Sequence, residues 1–158
     1  MKLIVGASRS EKIGSKAIQM VMGVDYSHVY ARWWLKSQER EIVYQASHGM
    51  VHYTSLEHFT RDNIIVREFV LDLTDEQFKK FSRKCIDLAG EKYSILTLFH
   101  IWLNDASGGK LQFGDQTGYI CSELMCELLM DLGVEFDKPK WMVKPSDIVL
   151  ALEKYGNQ

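Results

Sequence analysis

Alternation dominates the first half of the chain and helical spacing the second. Residues 2–7 predict a short first strand. Helical spacing follows at Ala17, Ile18, Val21 and Met22, closed by Gly23. From 27 to 35 the chain alternates, with Ser27, Val29, Ala31, Trp33 and Leu35 on one side and His28, Tyr30, Arg32 and Trp34 on the other. Residues 36–40 are a polar turn, and 41–46 return as a strand, so the pair is a hairpin. Gly49 breaks the pattern. Residues 50–54 and 63–71 predict further strands, the latter with Ile64, Val66 and Val70 on one face.

The period then changes. Thr74-Asp75-Glu76-Gln77 is a capping box that opens a helix through Phe78, Phe81, Cys85, Ile86 and Leu88, closed by Gly90. Residues 94–104 predict a buried helix, and 104–118 a polar, glycine-rich loop. That loop leads into a helix starting near Cys121, whose apolar positions 121, 124, 125, 128 and 132 share one face before Gly133. After a connector at 134–136, Lys144-Pro145-Ser146-Asp147 starts a last helix through Ile148, Leu150 and Leu152. A run of strands followed by a run of helices predicts an α+β fold, a mainly antiparallel sheet with helices packed on one face. No repeat, low-complexity tract or linker interrupts residues 1–158, which implies one domain.

Composition narrows the function classes. The chain has 158 residues, 46% hydrophobic and 25% charged, and a net charge of −2 with no basic stripe, which gives no reason to invoke nucleic acid. Cysteines 85, 121 and 126 are odd in number and form no CxxC pair, which argues against a disulfide framework or zinc knuckle and suits a reducing compartment. The most apolar window, 95–103, is about half the length needed to span a bilayer. The opening residues make no convincing signal peptide. The expectation is a cytoplasmic protein without an integral membrane segment.

Cys121 falls in the first turn of its helix, where the positive end of the helix dipole favours a thiolate. The competing reading of any such cysteine is a small buried hydrophobe, and Cys85 and Cys126 are taken as that. Trp33, Trp34, Trp102 and Trp141 could line a cleft, though large aromatics are more often packing. His48, His52 and His58 cluster around the later strands, but Gly49 argues against the helix that a His-x3-His metal site needs, so no metal or other cofactor is expected. Cysteine nucleophile chemistry needs a thiolate, a base and a polar group that holds the imidazole. Cys121, His28 and the hairpin's return strand can supply them.

The chain carries Ile13-Gly14-Ser15-Lys16-Ala17-Ile18-Gln19, Tyr26-Ser27-His28-Val29, Val43-Tyr44-Gln45-Ala46 and Tyr119-Ile120-Cys121-Ser122-Glu123-Leu124, in that order. In these it resembles permuted NlpC/P60 papain-like proteins, the YiiX-like and lecithin:retinol acyltransferase-like branch. Glu91-Lys92-Tyr93 and Lys144-Pro145-Ser146-Asp147 add to the likeness. It implies a cysteine hydrolase or acyltransferase acting on an amide, ester or thioester of a peptide, lipid or other acyl substrate. Cys121 then matches the nucleophile, His28 the base and Gln45 the orienting residue, where the family commonly has Glu; His48 is a rival for that third place. An oxyanion hole would use the Cys121 N–H, with Tyr26 or Ser27 as candidate second donors and binding residues. The alternative is a non-catalytic binding module on the same fold. A working site requires Cys121 and His28 to meet at a cleft, with sulfur and ring nitrogen roughly 3–4 Å apart and the thiol partly accessible. Side chains on opposite faces of the sheet, or more than about twice that distance apart, would sink the enzyme reading.

Overall fold

The structure is a computed structural model that describes residues 1–11, 15, 16, 19, 20, 23–92 and 120–156. Five strands form one antiparallel sheet: β1 (Lys2–Arg9), β2 (His28–Leu35), β3 (Arg40–Ser47), β4 (Met50–Ser55) and β5 (Ile64–Asp72), in the order β4-β3-β2-β1-β5. The predicted hairpin is β2–β3, paired from Leu35↔Arg40 to Ala31↔Tyr44. Its turn is a 3-10 segment, Lys36–Gln38, ended by Glu39 in the left-handed region (φ 49°). Because residues in a strand alternate between faces, Leu3, Val5, Ala7, Val29, Ala31, Trp33, Tyr44, Ala46, Val51 and Leu71 all face the main core.

Four helices are described from end to end: α1 (Leu56–Asp62), α2 (Asp75–Asp87), α3 (Cys121–Met130) and α4 (Pro145–Tyr155). The three longer ones bury their apolar stripes on that face, as the strand-then-helix pattern predicts. Leu124, Met125, Leu128 and Leu129 of α3 are almost fully enclosed, each contributing roughly 1.5–3 kcal/mol before ordering costs. The α2 capping box is present, with Gln77 N–H donating to Thr74 Oγ1 and Thr74 N–H to Gln77 Oε1. Gly90 (φ 90°) and Gly133 (φ 91°) take the left-handed conformation expected after helices. Ser122 Oγ donates to Val143 O over 2.6 Å, both residues buried, and this fixes the start of α3 against the segment leading to α4.

The short helix α1 is the element that the periodicity does not reveal. It links the two edge strands, β4 and β5, and packs Phe59 on the sheet's other face with Tyr30 and Val43 as a second, small core. On the same face Tyr30 Oη donates to Glu68, which also takes two bonds of 2.7 Å from the Arg32 guanidinium; Arg32 reaches Glu41 as well. The Tyr30 ring lies across Gly6, where a Cβ would overlap its Cζ and Oη.

Of the helix predicted near 15–22, Ser15, Lys16, Gln19 and Met20 are helical. The predicted buried helix at 94–104 (with His100 and Trp102), the glycine-rich loop before residue 119, and Tyr93 and Tyr119 lie outside the described residues. Among the described residues no helix is long and apolar enough to cross a membrane.

Candidate active site

The ladder between β2 and β3 ends at Ala31↔Tyr44, although both strands run on. β2 continues beside β1 to Ser8↔His28, while β3 continues beside β4 to Ser47↔Met50. The sheet therefore parts between His28–Val29 and Gln45–Ala46. Two groups meet this parting from opposite faces.

From the α1 face come His28 and Gln45. Nε2 of His28 lies 2.8 Å from Gln45 Oε1, and because a carbonyl oxygen only accepts, Nε2 carries the proton and Nδ1 the lone pair. The ring is half-buried and leans toward Phe59, with centroids 6.4 Å apart. Burial lowers its pKa to about 4; the Gln45 bond works the other way, and the nearby His52 and His48 add to the lowering.

From the main-core face comes Cys121, the first residue of α3, which packs across β2 and β3. Its sulfur accepts the backbone N–H of Val29, the residue after His28, and those of Ser122 and Cys121 itself. These donors do not offset burial. The thiol is 1% exposed and its pKa is pushed up to about 11. The expected thiolate and the expected partial access are both corrected by this: removing sulfur from water outweighs the helix dipole.

The structure thus joins His28 to Gln45. No hydrogen bond joins His28 to Cys121 among the described residues; their backbones adjoin at Val29 while the side chains approach from opposite faces. His48, the rival third residue, sits at the β3–β4 turn in the left-handed region (φ 52°), and its hydrogen bond is to Ser47 rather than to His28. Its Nδ1 is 3.1 Å from Ser47 Oγ, which also lies 2.8 Å from His52 Nε2.

Neither proposed second oxyanion donor is open. Tyr26 is buried in the main core, where its phenol pKa is raised chiefly by burial, and Ser27 spends its N–H on Ser8 O and its hydroxyl on Ser15. Trp33 is core, edge-on to Phe81 at 5.5 Å, whereas Trp34 and Trp141 are exposed. Cys85 and Cys126 are buried, and burial raises both thiols. Periodicity also missed two side chains beside His28: Phe59, whose helix is announced only by the Ser55 N-cap, and Ser8, its strand partner.

No family model matches the sequence, and no curated protein matches it. The fold is similar to the crystal structure described as metalloprotein YiiX from Escherichia coli O157:H7, DUF1105. The two are 20% identical over 93% of this chain and 89% of that one, with a TM-score of 0.63. Metalloprotein is that protein's description; among the described residues here, no group of three or more His, Cys, Asp or Glu could hold a metal ion. What the likeness shows is architecture: this chain has a YiiX-like α+β fold.

Proposed function

We propose that the protein is a cysteine hydrolase or acyltransferase that attacks an amide, ester or thioester carbonyl through Cys121. The observation that carries this reading is the 2.8 Å bond from His28 Nε2 to Gln45 Oε1, at the parting where the Cys121 sulfur accepts the Val29 N–H. A base needs a free lone pair, and Gln45 leaves it on Nδ1. The reaction requires the two side chains to come together at the parting; the sulfur then bonds to the carbonyl carbon while Nδ1 takes the thiol proton. The proton passes to the leaving amine, alcohol or thiol as the tetrahedral adduct collapses to an acyl-enzyme. Water then releases the acid, or another nucleophile takes the acyl group. The Cys121 N–H lies at the helix start, suited to the developing oxyanion.

The resting arrangement is latent. Burial raises the thiol and lowers the imidazole, so moving the proton between them is uphill in this arrangement. Opening the parting to water or substrate removes much of the desolvation behind both shifts. A second reading, a binding module without catalysis, is favoured by two observations: the 1% exposure of the thiol, and the approach of Cys121 and His28 from opposite faces of the sheet.

Iodoacetamide labelling at neutral pH, followed by peptide mass spectrometry, separates the two. The enzyme reading expects Cys121 to react faster than Cys85 and Cys126, and His28→Ala to abolish that advantage. Equal, slow labelling of all three thiols sinks it in favour of the binding module.

A further inference from the structure

Serines crowd the end of the sheet where β2 begins. Ser15 and Ser27 share a hydrogen bond of 2.5 Å, and Ser15 Oγ also accepts from Gln19 Nε2 and from the Ser10 N–H. Ser8 is different. It is fully buried, and its Oγ has no hydrogen-bond partner among the described residues. It is also the β1 partner of His28. Directly paired residues share a face, with Cβ atoms about 4.5–5.5 Å apart. Across the imidazole, Gln45 occupies Nε2, and no described residue donates to Nδ1. A buried hydroxyl without a partner and a ring nitrogen without a donor therefore occupy one cross-strand pair.

We propose that Ser8 is a positioning residue for His28, its hydroxyl holding one buried water that donates to Nδ1. A buried polar group left unmade is costly, and a buried water needs at least two polar partners. Ser8 Oγ makes no direct bond to the ring, and a single water can bridge two polar groups of one cross-strand pair. Gln45 and Ser8 then grip the ring from its two ends and keep the lone pair on Nδ1. The proposal deepens the enzyme reading and rests on it for catalytic meaning: a substrate that claims Nδ1 displaces this water. The hydrogen bond itself exists in the resting protein and is measurable without turnover.

The test uses the full chain labelled with 15N-histidine at pH 7, as wild type, Ser8→Ala and Ser8→Thr, with His28→Asn to assign the signals. In the wild type His28 is protonated at Nε2, and its Nδ1 resonance is displaced from that of a free lone pair. Ser8→Ala moves that resonance toward the free value, and Ser8→Thr, which keeps a hydroxyl, restores it. The melting temperature of Ser8→Ala is unchanged or lower. An unmoved Nδ1 resonance in Ser8→Ala overturns the proposal. So does a higher melting temperature, the result of deleting a hydroxyl that bonded nothing. Slow Cys121 labelling in the wild type overturns the enzyme reading instead, and leaves these resonances to decide the role of Ser8.

Discussion

His28 in the folded protein takes up a proton only near pH 4, whereas an unfolded histidine does so near 6.5. Between those values the unfolded chain binds more protons, so stability falls as the solution is acidified through the window and is flat above it. The full window corresponds to roughly 3 kcal/mol. Urea denaturation at pH 7 and pH 4.5 should register most of this loss in the wild type and much less in His28→Asn. An equal acid slope in the two proteins would show that His28 is not held neutral by the fold. Gln45→Glu places a carboxylate where the amide oxygen lies, raises the imidazole pKa and narrows the window. Its stability loss over the same pH step should be smaller than that of the wild type. Under the enzyme reading, the same variant keeps or increases Cys121 labelling, because a carboxylate also stabilises the imidazolium.

At the scale of elements, α3 is fixed at its first turn by the Ser122–Val143 bond and further along by ion pairs. Lys84 of α2 reaches Asp131 and Glu127, and Lys140 reaches Glu127. Ser122→Ala leaves the buried Val143 carbonyl without its donor, and should cost about 1–3 kcal/mol in urea denaturation. An unchanged midpoint would mean that the ion pairs hold the helix alone. The start of this helix was legible in the chain because position 121 opens a 3.6-residue stripe that Gly133 closes. The β2–β3 hairpin was legible because Val29, Ala31 and Trp33 alternate with Tyr30 and Arg32. The parting at Val29 was not, since it depends on how far two strands stay in register, and alternation is identical on either side of it. For the same reason the pattern placed His28 on one face and α3 on the other without saying that they meet at an edge between strands. Helix α1 was hidden by its length: seven residues show too little period to stand out. The state of Cys121 was misjudged because a dipole can be inferred from sequence position, while desolvation depends on everything packed around the sulfur.

Across the whole molecule, the sheet's second face is tied together by a network that runs from β5 through β2 to β3. Glu68, Tyr30, Arg32 and Glu41 form it over the bare backbone of Gly6. Gly6→Ala drives a methyl group into the Tyr30 ring, and should destabilise the protein by about 1–3 kcal/mol or more. In a Tyr30→Leu background the penalty should shrink, since the ring is what must move; strict additivity of the two changes would refute that account.

The strand order has a consequence in time. β2, β3 and β4 are joined by short turns, so their pairings close small loops. β1 and β5 pair Lys2 with Asp72 and must close a loop of most of the sheet's length. Entropy favours the meander first and the β1–β5 seam late. Val43→Ala, in the meander, should then slow refolding, whereas Leu71→Ala, on β5, should leave refolding nearly unchanged and speed unfolding. Chevron plots of the two variants measure both limbs, and a slowed refolding limb for Leu71→Ala would reverse the order. Contacts made after the folding barrier are the ones that resist unfolding. The lifetime of the native molecule is then set by the edge strand β5, to which none of Cys121, His28 and Gln45 belongs.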